Sequence, residues 1–222
     1  MRFRDVSVVI AFALFLEAQS AGAQNLIPDP TFSSGLSAWA VWDPSGTMST
    51  TLSWNPGAGT DGVPGFARLA GFGPGFFVAR VCVPASAGTT YSWGGFLRLS
   101  APLDYTAQFT LEFYANSSCE GPSSLLSISG PTLDAASGSP DAWLLRAGQD
   151  VEAPALAQSV AFEVNGASPN SLRTVDFDNV YFGPQGTVAP TALVPVPTIS
   201  AAALGILALL LAVAGAWRIV TV

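Results

Sequence analysis

Thr106-Ala107-Gln108-Phe109-Thr110-Leu111-Glu112-Phe113-Tyr114-Ala115 is the stretch that decides the fold class. Ala107, Phe109, Leu111, Phe113 and Ala115 fall on one side of an extended chain, and Gln108, Thr110, Glu112 and Tyr114 on the other. Successive side chains of a strand point to opposite faces, so this pattern predicts a strand with one buried face, on which Tyr114 points outward. The same period recurs on either side. In 91–99, Tyr91, Trp93, Gly95, Leu97 and Leu99 alternate with Ser92, Gly94, Phe96 and Arg98. Further on, Val160, Phe162 and Val164 alternate with Ala161, Glu163 and Asn165. Gly, Pro, Asn and Ser clusters separate the runs, and no internal repeat or helical period competes with them. The prediction is an all-β fold of antiparallel sheets packed face to face.

Working outward, the chain has 222 residues, half of them hydrophobic and only 10% charged, with 22 Gly and 17 Pro. Its ends read as membrane-directed. Arg2 and Arg4 precede an apolar run over 6–16, and Ala21-Gly22-Ala23 follows as a small-residue site. This is the layout of a secretory signal peptide over 1–23, because the run makes only about 16 Å of helix, too short to cross a bilayer. A buried N-terminal helix is the alternative. Residues 184–198 hold Pro184, Pro190, Pro195 and Pro197 and read as a stiff linker. Residues 199–217 are uncharged, with only Ser200 polar, and would make about 28 Å of helix. A transmembrane helix with a short basic tail over 199–222 is expected, and Arg218 places its C-terminus in the cytoplasm. The expected arrangement is therefore one domain over 24–183, exported and held at the inner membrane, with roughly 160 residues and a single core.

Composition excludes several functions. All eight basic residues are Arg, against fifteen acids, for a net charge of −7. An acidic chain without Lys lacks the cationic footprint that nucleic-acid binding needs. The absence of His removes His-based acid–base catalysis, Ser-His-Asp or Cys-His nucleophile pairs, and His-ligated zinc. No catalytic residue is assigned, and the chain reads as a non-enzyme.

Three motifs in order carry a resemblance. Asn25-Leu26-Ile27-Pro28-Asp29-Pro30-Thr31-Phe32-Ser33-Ser34-Gly35-Leu36-Ser37-Ala38-Trp39 resembles the opening of jelly-roll carbohydrate-binding modules of the galactose-binding-domain-like class. Pro84, Gly88 and Tyr91 match their Pro-x-x-x-Gly-x-x-Tyr turn, and Phe177-Asp178-Asn179-Val180 matches their closing strand. The resemblance implies a jelly-roll β-sandwich with carbohydrate as the partner. It also implies a structural calcium, with Asp178 at the late Asp ligand. Ser33 stands where the family has a Glu ligand, while Asp29 stands in place of an Asn. Alternatively, Asp178 caps backbone amides. At the other end, Val196-Pro197-Thr198-Ile199-Ser200 before the apolar run resembles the bacterial IPTL-CTERM sorting signal. That implies an exosortase-type processing enzyme as a partner and delivery to the surface of a Gram-negative cell. A permanent single-span anchor is the alternative.

The candidate sugar-binding set consists of the polar strand faces Arg98, Gln108, Glu112, Tyr114, Glu163 and Asn165, with Trp42 and Trp54 as aromatic platforms. Tyr114 is expected to be an exposed platform flanked by Arg98 or Gln108. Trp39, Trp93 and Trp143 are expected in the core. Cys82 and Cys119, the only cysteines, form an expected disulfide in an exported chain, with two free buried thiols as the alternative. Two other readings stay open: a surface or matrix structural protein without sugar affinity, and a glycoside hydrolase using Glu112 and Glu163.

Overall fold

The alternation over 106–115 is realised as strand β6 (Thr106–Tyr114), with Ala107, Phe109, Leu111 and Phe113 buried. The computed structural model describes residues 23–43, 49–60, 62, 64–121, 124–137, 140–169 and 171–190. The proposed signal peptide (except Ala23), sorting box and membrane span, with the last part of the linker, lie outside the described residues. The other strands are β1 (Ala40–Trp42), β2 (Ser49–Ala58), β3 (Pro64–Phe72), β4 (Pro74–Pro84), β5 (Thr90–Leu99), β7 (Leu126–Ser129), β8 (Leu144–Ala147), β9 (Val151–Glu152), β10 (Ser159–Pro169) and β11 (Arg173–Pro184). Among the described residues there is no helix.

Two antiparallel sheets make the sandwich. One has the order β1-β4-β10-β6-β7; the other has β2-β3-β11-β5-β8, with β9 beside β5. β3 and β4 are joined through Gly73 yet belong to opposite sheets, and the chain likewise changes sheet between β5 and β6 and between β10 and β11. The inner faces meet in one core containing Phe32, Trp93, Phe77, Phe109, Phe162 and Phe177. Trp39 and Trp93 are buried there as expected, Trp93 on the inward face that the period of 91–99 predicts. Phe77 of β4 fits against two glycines, one per sheet. A Cβ added to Gly71 of β3 or Gly166 of β10 would lie 2.3 or 2.2 Å from its ring. Small residues at those positions let a large ring fill the gap between sheets without strain.

Cys82 of β4 and Cys119 in the loop after β6 are bonded, with Cα atoms 5.8 Å apart. Cys82 points away from the core, on the side of β4 opposite Val81 and Val83, so the bond ties the loop down onto the outer face of its sheet. Inside the loop, Asn116 Oδ1 accepts from the Ser118 amide at 3.0 Å, and Ser159 Oγ donates to the Asn116 carbonyl at 2.6 Å.

Candidate functional site

The outer face of the β1-β4-β10-β6-β7 sheet carries the candidate site, and the strand register sets its rows. Trp42 pairs with Val78, Val78 with Asn165, and Asn165 with Gln108. In the next row Arg80 pairs with Glu163, Glu163 with Thr110, and Thr110 with Ser129. Then come Cys82, Ala161, Glu112 and Ser127. Residues of one row that share a face stand side by side. Apart from Arg80, Cys82 and Ala161, these residues line a groove of about 620 Å³. Trp42, Phe76 and Val78 are its apolar side, Gln108, Thr110, Glu112, Glu163 and Asn165 its floor, and Ser127 and Ser129 its far rim. A recess of about 70 Å³ shares Phe76, Gln108 and Asn165 and continues to Thr106, Thr132 and Ala167. The site is therefore longer than one row.

Glu163 is the most constrained group in it. Its residue is 3% exposed, and Oε1 accepts no hydrogen bond from any described residue. Oε2 accepts from Asn165 Nδ2 at 3.4 Å. Burial, and then the negative charge of Glu112, push the Glu163 carboxyl up to about 7, against smaller opposing effects of Asn165 and Arg80. Glu112 accepts the Tyr114 hydroxyl at Oε2, 2.6 Å away. The Arg80 guanidinium stacks 4.7 Å from the centroid of the Trp42 ring, which lines the groove.

Five of the sequence-predicted residues thus meet at one place: Trp42, Gln108, Glu112, Glu163 and Asn165. Three do not. Tyr114 does point outward, as the alternation requires, but it is 4% exposed, because Cys119 and the bonded loop close over it. It is therefore a buried hydrogen-bond donor to Glu112 and offers no exposed platform. Burial, then the bond to Glu112, raise its hydroxyl pKa, so it keeps its proton. Arg98 belongs to β5 in the other sheet, where it and Arg68 grip Asp176. Its guanidinium lies 4.3 Å from the Trp143 ring centroid, and Trp143 is half-buried on that outer face and outside the core. Trp54, 42% exposed on β2, donates Nε1 to the Phe32 carbonyl at 2.7 Å. It closes a sandwich edge, away from the groove.

Phe76, 68% exposed, and Val78 were missed as site residues. The signal was present: Phe77, Ala79, Val81 and Val83 form the buried face of β4, so Phe76, Val78 and Arg80 must share the outer one.

Asp29 and Asp178 do not fit a calcium cage as they stand. Asp29 accepts the amides and hydroxyls of Ser33 and Ser34, two donors on each oxygen. Partial burial raises its pKa, but these bonds outweigh that and hold the carboxyl below its ordinary value. Asp178 accepts the Thr60 amide and hydroxyl at Oδ2 and the Asn179 amide at Oδ1. Calcium needs six to eight oxygen ligands with lone pairs turned to the ion. Here the lone pairs face N–H and O–H groups, and among the described residues no three Cys, Asp or Glu side chains gather as a metal site.

No protein-family model and no curated protein matches the sequence. Solved structures do match its fold. The CBM22-1 and GH10 modules of Clostridium thermocellum endo-1,4-β-D-xylanase 10B, complexed with xylohexaose, align with a TM-score of 0.55 at 14% identity, over 73% of this chain and 29% of that one. The enzymatically active domain of tailspike protein 4 of bacteriophage CBA120 aligns with a TM-score of 0.52 at 12% identity, over 72% and 21%. A xylan-binding domain of CBM 22 aligns at 0.48 and 14% identity, over 74% and 97%. This chain thus spans under a third of the length of the first two, and at these identities the likeness is one of fold: a β-sandwich of the kind found in carbohydrate-binding modules.

Proposed function

We propose that this chain is an exported, non-catalytic β-sandwich that binds a carbohydrate chain in the groove between Trp42 and Ser129, and that its tail delivers it to the cell surface. The observation that carries the reading is the meeting of Trp42 and Phe76 with Gln108, Glu112, Glu163 and Asn165 on one outer sheet face. Aromatic faces cover the apolar C–H surface of a pyranose, and a few fixed polar groups take its hydroxyls. The strand alternation between sheets suits a jelly-roll, and a sugar-complexed protein among the fold's neighbours favours the same ligand class. Glu112 pairs with Ala161 and Glu163 with Thr110, so the two acids stand diagonally on one floor, and the binding reading takes both as acceptors for sugar hydroxyls.

Because the groove is shallow, dissociation constants of about millimolar to high micromolar are expected, roughly −4 to −6 kcal/mol. Affinity electrophoresis of the full chain in detergent, through gels holding xylan, β-glucans, galactans or chitosan, tests this. Retardation by at least one polysaccharide, lost in Trp42→Ala and unaffected by a chelator, is expected. Mobility unchanged in every gel would overturn it and favour a structural role. For the tail, protein recovered from its host should lack the peptide carrying Arg218. Finding that peptide intact in the mature protein would support a permanent anchor instead.

A further inference from the structure

The floor of the groove narrows the ligand class, given the reading that a sugar binds there. Glu163 is almost fully buried, lines the groove, and carries an oxygen that no described residue satisfies. A buried acceptor without a donor is costly, so a ligand that supplies one gains more than it would at an exposed site. The charges around it point the same way. Across β6 and one row on stands Glu112, and across β4 stands Arg80 stacked on Trp42. Two acids thus sit beside one cation. A uronic-acid polymer would be repelled. A neutral hydroxyl would satisfy Glu163 Oε1 but leave the repulsion between Glu163 and Glu112 in place. An ammonium group would satisfy the oxygen and offset the repulsion together.

We propose that the groove selects amino sugars: a polysaccharide of hexosamine units with free amino groups, one ammonium donating to Glu163 and a ring face resting on Trp42. The floor is where this discrimination arises, because Trp42 and Phe76 would accept any pyranose.

Calorimetric titration of the full chain in detergent, with EDTA and near neutral pH, tests the proposal on three probes: a β-1,4-glucosamine hexamer, its N-acetylated counterpart and xylohexaose. A charge-assisted bond at a buried site predicts about tenfold tighter binding of the free amine than of the other two. Glu163→Gln keeps size and hydrogen bonding and removes the charge. It should abolish the preference, so that the free amine binds no tighter than the N-acetylated hexamer. A preference that survives Glu163→Gln would reflect only the overall acidity of the chain and overturn the assignment. Equal or tighter binding of the neutral probes would overturn the amino-sugar specificity and leave the carbohydrate groove standing. Neutral binding that appears only when calcium replaces EDTA would replace the ammonium with a metal bridge. No binding of any probe would remove both this inference and the function it rests on.

Discussion

The Tyr114 hydroxyl donates to Glu112 Oε2 across 2.6 Å, from a ring sealed beneath the loop that Cys119 ties to Cys82. The bond holds Glu112 in the groove from a position that never touches ligand. Tyr114→Phe should therefore weaken oligosaccharide binding several-fold and cost about 1 kcal/mol of stability, the usual worth of one such bond. Tyr114→Ala should cost about 3–4 kcal/mol, because it empties a buried ring site. Chemical denaturation checks both. An alanine variant with unchanged stability would mean the ring is exposed after all.

Glu163 makes stability fall as pH rises. Its carboxyl is raised from 4.5 to about 7 in the folded chain. Below about 4.5 both folded and unfolded states keep the proton, and Glu163 contributes no slope. Between those values the unfolded chain releases a proton that the folded chain retains, so folding becomes progressively less favourable. Above about 7 the penalty is constant, on the order of 3 kcal/mol. Glu163→Gln should thus gain stability over wild type at about pH 8 and show little difference near pH 4. Parallel thermal melts across that range measure the gap, and a gap that does not grow with pH would refute the assignment.

Strand alternation settles which face of a strand a residue occupies, and this much was legible from the chain alone. Gln108 and Glu112 had to share one face of β6, and Glu163 and Asn165 one face of β10. Parity says nothing about which sheet a strand joins. Arg98 has the same outward parity as Gln108, yet β5 pairs with β11 and β6 with β10, so the two residues end on opposite sides of the molecule. Exposure was equally out of reach at Tyr114, since the loop covering it is held by a bond to a different strand. Trp42 and Trp54 looked alike in turn-rich sequence, and only pairing with β4 brought Trp42 beside the polar floor.

Arg98 should matter for folding and be silent in binding. Asp176 is 1% exposed and accepts four hydrogen bonds from Arg68 and Arg98. Removing the carboxylate strands two guanidinium groups against Phe66 and Trp143, so Asp176→Ala is expected to cost about 3 kcal/mol. Arg98→Ala should destabilise by less and leave every polysaccharide affinity within error. Loss of sugar binding in a folded Arg98→Ala protein would place a ligand surface on the second sheet.

The bond between Cys82 and Cys119 closes a loop with a sequence separation of 37. On the chain-entropy model such a link adds about 3–4 kcal/mol by restricting the unfolded state. Reduction should therefore lower the denaturation midpoint, and intact mass should rise by about two hydrogens. Its effect on the groove is separable from that. The loop covers Tyr114, and Tyr114 holds Glu112, so a reduced but still folded chain should expose the phenol and bind more weakly. Cys82→Ser with Cys119→Ser tests this without a reductant. The expected result is lower stability, a Tyr114 ring newly accessible to iodination, and reduced affinity together. Alkylation of both cysteines in the untreated protein would show that the link does not form, and full affinity in the double serine variant would show that the loop does not support the groove.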